Sequence, residues 1–238
     1  VKFLKFNLLL VITLFSSHGL AIECGWWQIP IKGSTISQYP RETHIVRKHP
    51  RKEHCREKWK GADTYIKQFR NDPIKGWPHK EVFKPWTRKE MEILLRLLPT
   101  LPAWTEINRY QFFRAINSDT IDNPSRSEVT YGSIILYDLF FSQQNKAAII
   151  THESAHHLYK KLSPSDIDIF RTLSGWTYEI SFEKRQVFKN PPKNLIQPDS
   201  AIGEEEDFTN HVEEFFKAPK SYPKAYPSIH KFLKERLK

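Results

Sequence analysis

Residues 151–157 read Thr-His-Glu-Ser-Ala-His-His, and His152, Glu153 and His156 have the types and spacing for metal-assisted hydrolysis. Two His four apart share one face of an α-helix, with Cβ atoms about 5–6 Å apart, so both imidazoles can reach one ion. Glu153 directly follows the first, where its carboxylate can approach a water held by that ion rather than the ion itself. Zinc in such a place lowers the pKa of its water towards ~7, and the neighbouring carboxylate can take the proton. With ten His and eighteen Glu in the chain, His-Glu-x-x-His arises by chance only about 0.03 times. The bland alternative, a surface helix carrying these residues by accident, must also explain the apolar back face described below. His157 is rotated off the ligand side and is expected to be structural.

A catalytic zinc takes three protein ligands and keeps one position open. A third His six residues after His156 is excluded, because Leu162 stands there. Cys24 and Cys55 lack zinc-site spacing. The remaining candidates are carboxylates. Glu179 lies 23 residues past His156, and Glu206 lies 50 past it, next to Glu204 and Glu205 at the start of an expected helix. The three clustered acids have an ordinary explanation as well, since negative side chains are favoured at a helix N-terminus.

These residues need elements to hold them. Ser142 reads as the N-cap of a helix over 143–162, with Ala148, Ala155, Leu158 and Leu162 as its buried stripe and Ser163-Pro164 as its stop. Ahead of it, residues 129–137 are rich in β-branched and aromatic types and read as a strand. Residues 118–127 read as a polar loop. Thr87 and Glu90 form a capping-box pattern before Met91, Leu94, Leu95 and Leu98, a helix closed by Pro99. Residues 104–116 fit strand or helix equally. Short helices are expected at 165–173, 204–217 and 227–237. The fold class is therefore α+β, mainly helical with a small sheet.

The pairing of the His-Glu-x-x-His helix with a later Glu206-Asp207-Phe208 helix resembles the catalytic domain of the anthrax-toxin lethal-factor-like zinc peptidases. The resemblance covers roughly residues 91–238 and implies a zincin-like fold with Glu206 as third ligand. Two positions depart from the family pattern. The outer acid expected four residues after the ligand is Asn210, and the Tyr expected seven before it, which helps the oxyanion, is Asp199. Tyr178 is an alternative source of that hydroxyl. Asp207 is expected at the helix start or outside the ligand shell.

The rest of the chain bounds the setting. Lys2 and Lys5 precede an apolar run over 8–15 and the small residues Gly19 and Ala21, the pattern of a signal peptide over 1–21. The run is too short to span a bilayer, so export to the periplasm or beyond is expected, without stable membrane insertion after cleavage. Cys24 and Cys55 are then expected to form a disulfide. Residues 22–86 show little periodicity and read as an irregular N-terminal extension, leaving 87–238 as the peptidase domain. The net charge of +10 falls to +8 without Lys2 and Lys5, a basic surface with no nucleic-acid-binding module. The seven Trp form no repeating platform and read as core. The function expected is a zinc-dependent endopeptidase acting on a peptide or protein, with Glu153 as general base. The alternative is a zinc-containing peptide- or envelope-binding module with little catalysis. Oligomeric state leaves no mark on the sequence.

Overall fold

The structure is a computed structural model describing residues 24–31, 34–36, 39–41, 44–46, 49–51, 54–77, 81–117, 123–181 and 186–237. The expected signal peptide, residues 1–21, lies outside the described residues. The chain divides into two compact units, Val1–Lys58 and Trp59–Lys238.

Among its described residues the first unit consists of three antiparallel strand pairs. Strands β1 (Gln28–Ile31), β2 (Ser34–Ile36), β3 (Tyr39–Arg41), β4 (His44–Val46), β5 (His49–Arg51) and β6 (His54–Glu57) pair antiparallel in nested order. The register runs from Gln28↔Glu57 through Ser34↔Arg51 to Arg41↔His44. A disulfide between Cys24 and Cys55, with Cα atoms 5.7 Å apart, closes its base. The described part of the expected irregular extension therefore contains paired strands. Its few apolar residues, Ile29, Ile31, Ile36, Ile45 and Val46, alternate too weakly to announce strands. The expected boundary at 86/87 also moves, because residues 59–86 belong to the second unit. Phe69 pairs with Phe112 in its sheet, and Trp86 is buried in its core.

That second unit is α+β with one small sheet. Its strands β7 (Phe69–Arg70), β8 (Gln111–Arg114), β9 (Ser125–Glu128) and β10 (Ser133–Leu136) lie in the order β7-β8-β10-β9. Only the β9–β10 pair is antiparallel; the other two are parallel. Successive side chains alternate between faces. Phe112, Ile134 and Leu136 join one core with Leu94, Leu98, Phe140 and Ile150. Phe113 and Ile135 join Ile74 and Tyr137 on the other face. The strand expected over 129–137 is therefore shorter. Val129–Tyr131 is a 3₁₀ turn ending at Gly132, with φ of 58°, and the preceding polar stretch supplies β9. Ser-Arg-Ser-Glu carries no β-branched or aromatic residue, so β9 owes its conformation to pairing with β10.

The helices are α1 (Ala62–Tyr65), α2 (Arg88–Leu97), α3 (Asp138–Ser142), α4 (Lys146–Tyr159), α5 (Pro164–Ser174), α6 (Glu204–Lys217), α7 (Tyr222–Ala225) and α8 (Pro227–Arg236). The capping box of α2 forms as expected, the Glu90 amide donating to Thr87 Oγ1 and the Thr87 amide to Glu90 Oε2. The helix expected from 143 starts later. Ser142 ends α3, its hydroxyl donating to Leu139 O, and Asn145 occupies the N-cap of α4. Residues 104–116 resolve into two 3₁₀ turns followed by β8. An antiparallel hairpin of β11 (Thr177–Ser181) and β12 (Gln186–Asn190) joins α5 to the segment before α6. A second core gathers Ala155 and Tyr159 of α4, Phe170 of α5, Phe208 and Val212 of α6, and Ile229, Phe232 and Leu233 of α8. That core packs α4 and α6 together, and the site forms between them. No helix among the described residues is long and apolar enough to cross a membrane.

Candidate metal centre

Nine of the fourteen residues of helix α4 are buried, whereas His152 and His156 are only partly so and line the cleft. His152 and His156 sit one turn apart, ring centroids 5.2 Å from each other. Across from them the first turn of α6 presents Glu206. His152 Nε2 lies 3.2 Å from Glu206 Oε1, and His156 Nε2 lies 3.6 Å from Glu206 Oε2. One ligand atom from each residue falls within 4.8 Å of the others. Tetrahedral ligands about 2.0–2.1 Å from a zinc ion are roughly 3.4 Å apart; the two separations are of that order but end on different oxygens of Glu206. The donor set of two imidazoles and a carboxylate suits a divalent transition metal. The group could hold a metal ion.

The electrostatics carry the mark of enforced proximity. Burial pulls His152 towards neutrality, yet its contacts with Glu206 and Glu213 outweigh burial and raise its pKa to about 10. Burial pushes Glu206 up, and the His152 contact more than offsets it, so its carboxyl titrates below the usual range. Each His nitrogen not facing Glu206 meets another acid of α6. His152 Nδ1 is 3.2 Å from Glu213 Oε2, and His156 Nδ1 is 3.0 Å from Glu205 Oε1. The buried Thr209 hydroxyl donates to Glu206 O, leaving its oxygen 3.3 Å from His152 Nε2.

Glu153 does not join the ligand group. It is 5% exposed, and its Oε1 accepts a 2.6 Å hydrogen bond from the buried Ser125 hydroxyl at the start of β9. Both residues line a cleft of about 810 Å³ that also exposes His152, His156 and Glu206. Strand β9 is the sheet edge on this cleft, whereas β10 is paired on both sides. The strand expected over 129–137, observed as β10, therefore offers no free edge.

The other expected residues fall as follows. His157 is buried and stacks on Tyr110 at 4.1 Å, and burial pushes its pKa down to about 4; it is structural. Glu205 engages His156 Nδ1 and Lys160 rather than the ligand group. Glu204 is not an exposed helix-start acid: it is 4% exposed and accepts from Arg171 Nε at 2.7 Å. Glu179 pairs with Phe188 on β11, and its side chain lies outside the described residues. Tyr178 packs beneath the Arg171 guanidinium, 4.6 Å from ring centre, and no Tyr is among the described residues lining the cleft. Asp199 lines it instead, accepting from Asn210 Nδ2 at 2.8 Å. Asp207 is buried and accepts from Trp176 Nε1, away from the ligands. Ser125 and Glu213 were invisible to motif reading. Ser125 lies in a stretch without strand signal, and Glu213 was one more acid on a charged helix. Comparison with protein-family models, curated proteins and solved structures yields no match.

Proposed function

We propose that the chain is an exported zinc metallopeptidase of zincin-like fold, with His152, His156 and Glu206 as ligands and Glu153 as general base. The observation that carries this reading is the separation of roles in one cleft. Three residues converge on a point, while a fourth residue, the Glu153 carboxylate adjacent in sequence to His152, is hydrogen-bonded to Ser125 instead. A site that merely stapled the fold would need no such carboxylate. The disulfide supports an oxidising compartment, as export requires.

Zinc held there would supply Lewis-acid polarisation of the scissile carbonyl and acidify the attacking water. The protein does the rest. Ser125 occupies Glu153 Oε1 and leaves Oε2 to accept the water's proton and deliver it to the leaving amine. The edge strand β9 offers main-chain groups along the cleft, against which an extended peptide can add as a further strand. The cleft is lined by both charged and neutral polar side chains, among them Asp199, Arg126 and Gln197.

A second reading, a zinc-containing peptide- or envelope-binding module, is favoured by one observation: the described cleft lining holds no Tyr for the oxyanion. Metal content and hydrolysis of an unbiased fluorogenic peptide library separate the two. The peptidase reading expects one zinc per chain and cleavage that Glu153→Gln abolishes while retaining zinc. Tight zinc without cleavage by the parent gives the binding module, and no zinc uptake overturns both.

A further inference from the structure

We propose that Glu213 and Glu205 are positioning residues that hold the rings of His152 and His156 in the metal-receptive tautomer. The inference rests on the reading of His152, His156 and Glu206 as metal ligands. A neutral imidazole can ligate through Nε2 only while its proton sits on Nδ1, and a buried Nδ1–H needs an acceptor. His156 meets that condition through a hydrogen bond between Nδ1 and Glu205; His152 Nδ1 is buried without a hydrogen bond, and the Glu213 carboxylate stands beside it as an ion-pair neighbour. Each turns Nε2 towards Glu206, at 3.2 and 3.6 Å, and Nδ1 towards a second carboxylate, Glu213 at 3.2 Å and Glu205 at 3.0 Å.

One helix therefore supplies the ligand and both acceptors. Glu213 stands seven residues, two turns, beyond Glu206 and so shares its face; Glu205 is its immediate neighbour. The earlier His meets the later Glu and the later His the earlier Glu, so α4 and α6 run antiparallel across the site. Each acceptor is itself gripped through its other oxygen, Glu213 Oε1 by Lys217 at 3.1 Å and Glu205 Oε2 by Lys160. The grips differ in depth. The Glu213 side chain is 11% exposed against 29% for Glu205. Asn210, where the resemblance places the outer acid, is turned elsewhere, donating to Asp199 Oδ1 and Ser200 Oγ at 2.8 and 3.1 Å.

The test is metal affinity, not turnover. Zn²⁺ and Co²⁺ affinities are measured by chelator competition for the parent, Glu213→Gln and Glu205→Gln, and the imidazole ¹⁵N shifts of the zinc-loaded proteins report tautomers. Loss of an outer partner typically weakens metal binding about 10–100-fold, the loss expected for Glu213→Gln and for Glu205→Gln alike. Metal-free melting of Glu213→Gln shows whether it folds. The parent's ¹⁵N shifts decide the matter even where it does not: both ligand rings must carry their proton on Nδ1. Unchanged affinity in folded Glu213→Gln, or ligation through Nδ1 in the parent, overturns the inference while leaving the metal site standing. A parent that takes up neither metal overturns the site and the inference together.

Discussion

Ser125→Ala removes one hydroxyl, and the structure says what that hydroxyl is worth. Ser125 is 1% exposed and Glu153 5%, so water has poor access to either side of their contact. The 2.6 Å separation belongs to the short, charge-assisted class of O–H···O⁻ bonds. Such a bond contributes about 1.5–3 kcal/mol net. Expressed wholly in holding the base where the transition state needs it, this becomes a loss of roughly 10–150-fold in kcat. Michaelis constant and zinc content should be preserved, because Ser125 touches neither a ligand nitrogen nor Glu206. Ser125→Thr keeps the hydroxyl and should retain most of the rate. The assay is steady-state cleavage of a fluorogenic peptide identified from the library, with zinc content determined on the same samples. A kcat for Ser125→Ala within twofold of the parent, at full zinc, would refute the claim that this hydroxyl positions the base.

Glu206→Ala should abolish tight zinc binding, whereas Glu204→Ala should keep zinc and cost about 2–3 kcal/mol of stability by leaving Arg171 without its buried partner, as chemical denaturation would show. That range is set below a fully buried pair because Arg171 is 31% exposed. Burial lowers the His211 pKa from 6.5 to about 4, so the unfolded chain binds this proton first as pH falls. Its stability contribution is intact above pH 6.5 and shrinks by about 3 kcal/mol on the way to pH 4. His211→Gln should remove about one proton from the slope of stability against pH in that window, relative to the parent with the same Asp207, Tyr222, Tyr226 and Phe170 around it; an unchanged slope refutes it. Reducing Cys24–Cys55 reopens a loop spanning 31 residues, a loss of about 3–4 kcal/mol to the first unit. Limited proteolysis should then cut first within residues 28–57; unchanged cleavage kinetics after reduction would contradict this.

The sequence was most legible where chemistry and local rules coincide. His152 and His156 declare themselves because helical period alone places them together, and the α2 capping box and the α6 bounds follow from local pattern. Glu206 and Glu179 are both candidate ligands by residue type, and the resemblance selects Glu206; its partnership with the two His is a product of the aromatic packing around Phe208 that no spacing rule encodes. Strand β9 and Ser125 were unreadable for a different reason. A polar four-residue edge strand acquires its conformation from its neighbour, so its own residues carry no strand signal. Glu204 shows the converse failure: its type suggested a solvated helix start, and only tertiary burial against Arg171 contradicts that.

The meeting of Ser125 with Glu153 also makes the register of a hairpin a parameter of the candidate site. Ser125 stands opposite Leu136 because β9 and β10 are joined by a short turn over 129–132 whose last residue, Gly132, sits at φ 58°. Side chains alternate along a strand, so a slip of one residue would bring Arg126 opposite Leu136 and turn the hydroxyl to the wrong face. A single inserted residue in that turn, or a β-branched residue forced onto Gly132, would therefore act on the base without touching any residue of the cleft. Turn length, here, is a chemical specification.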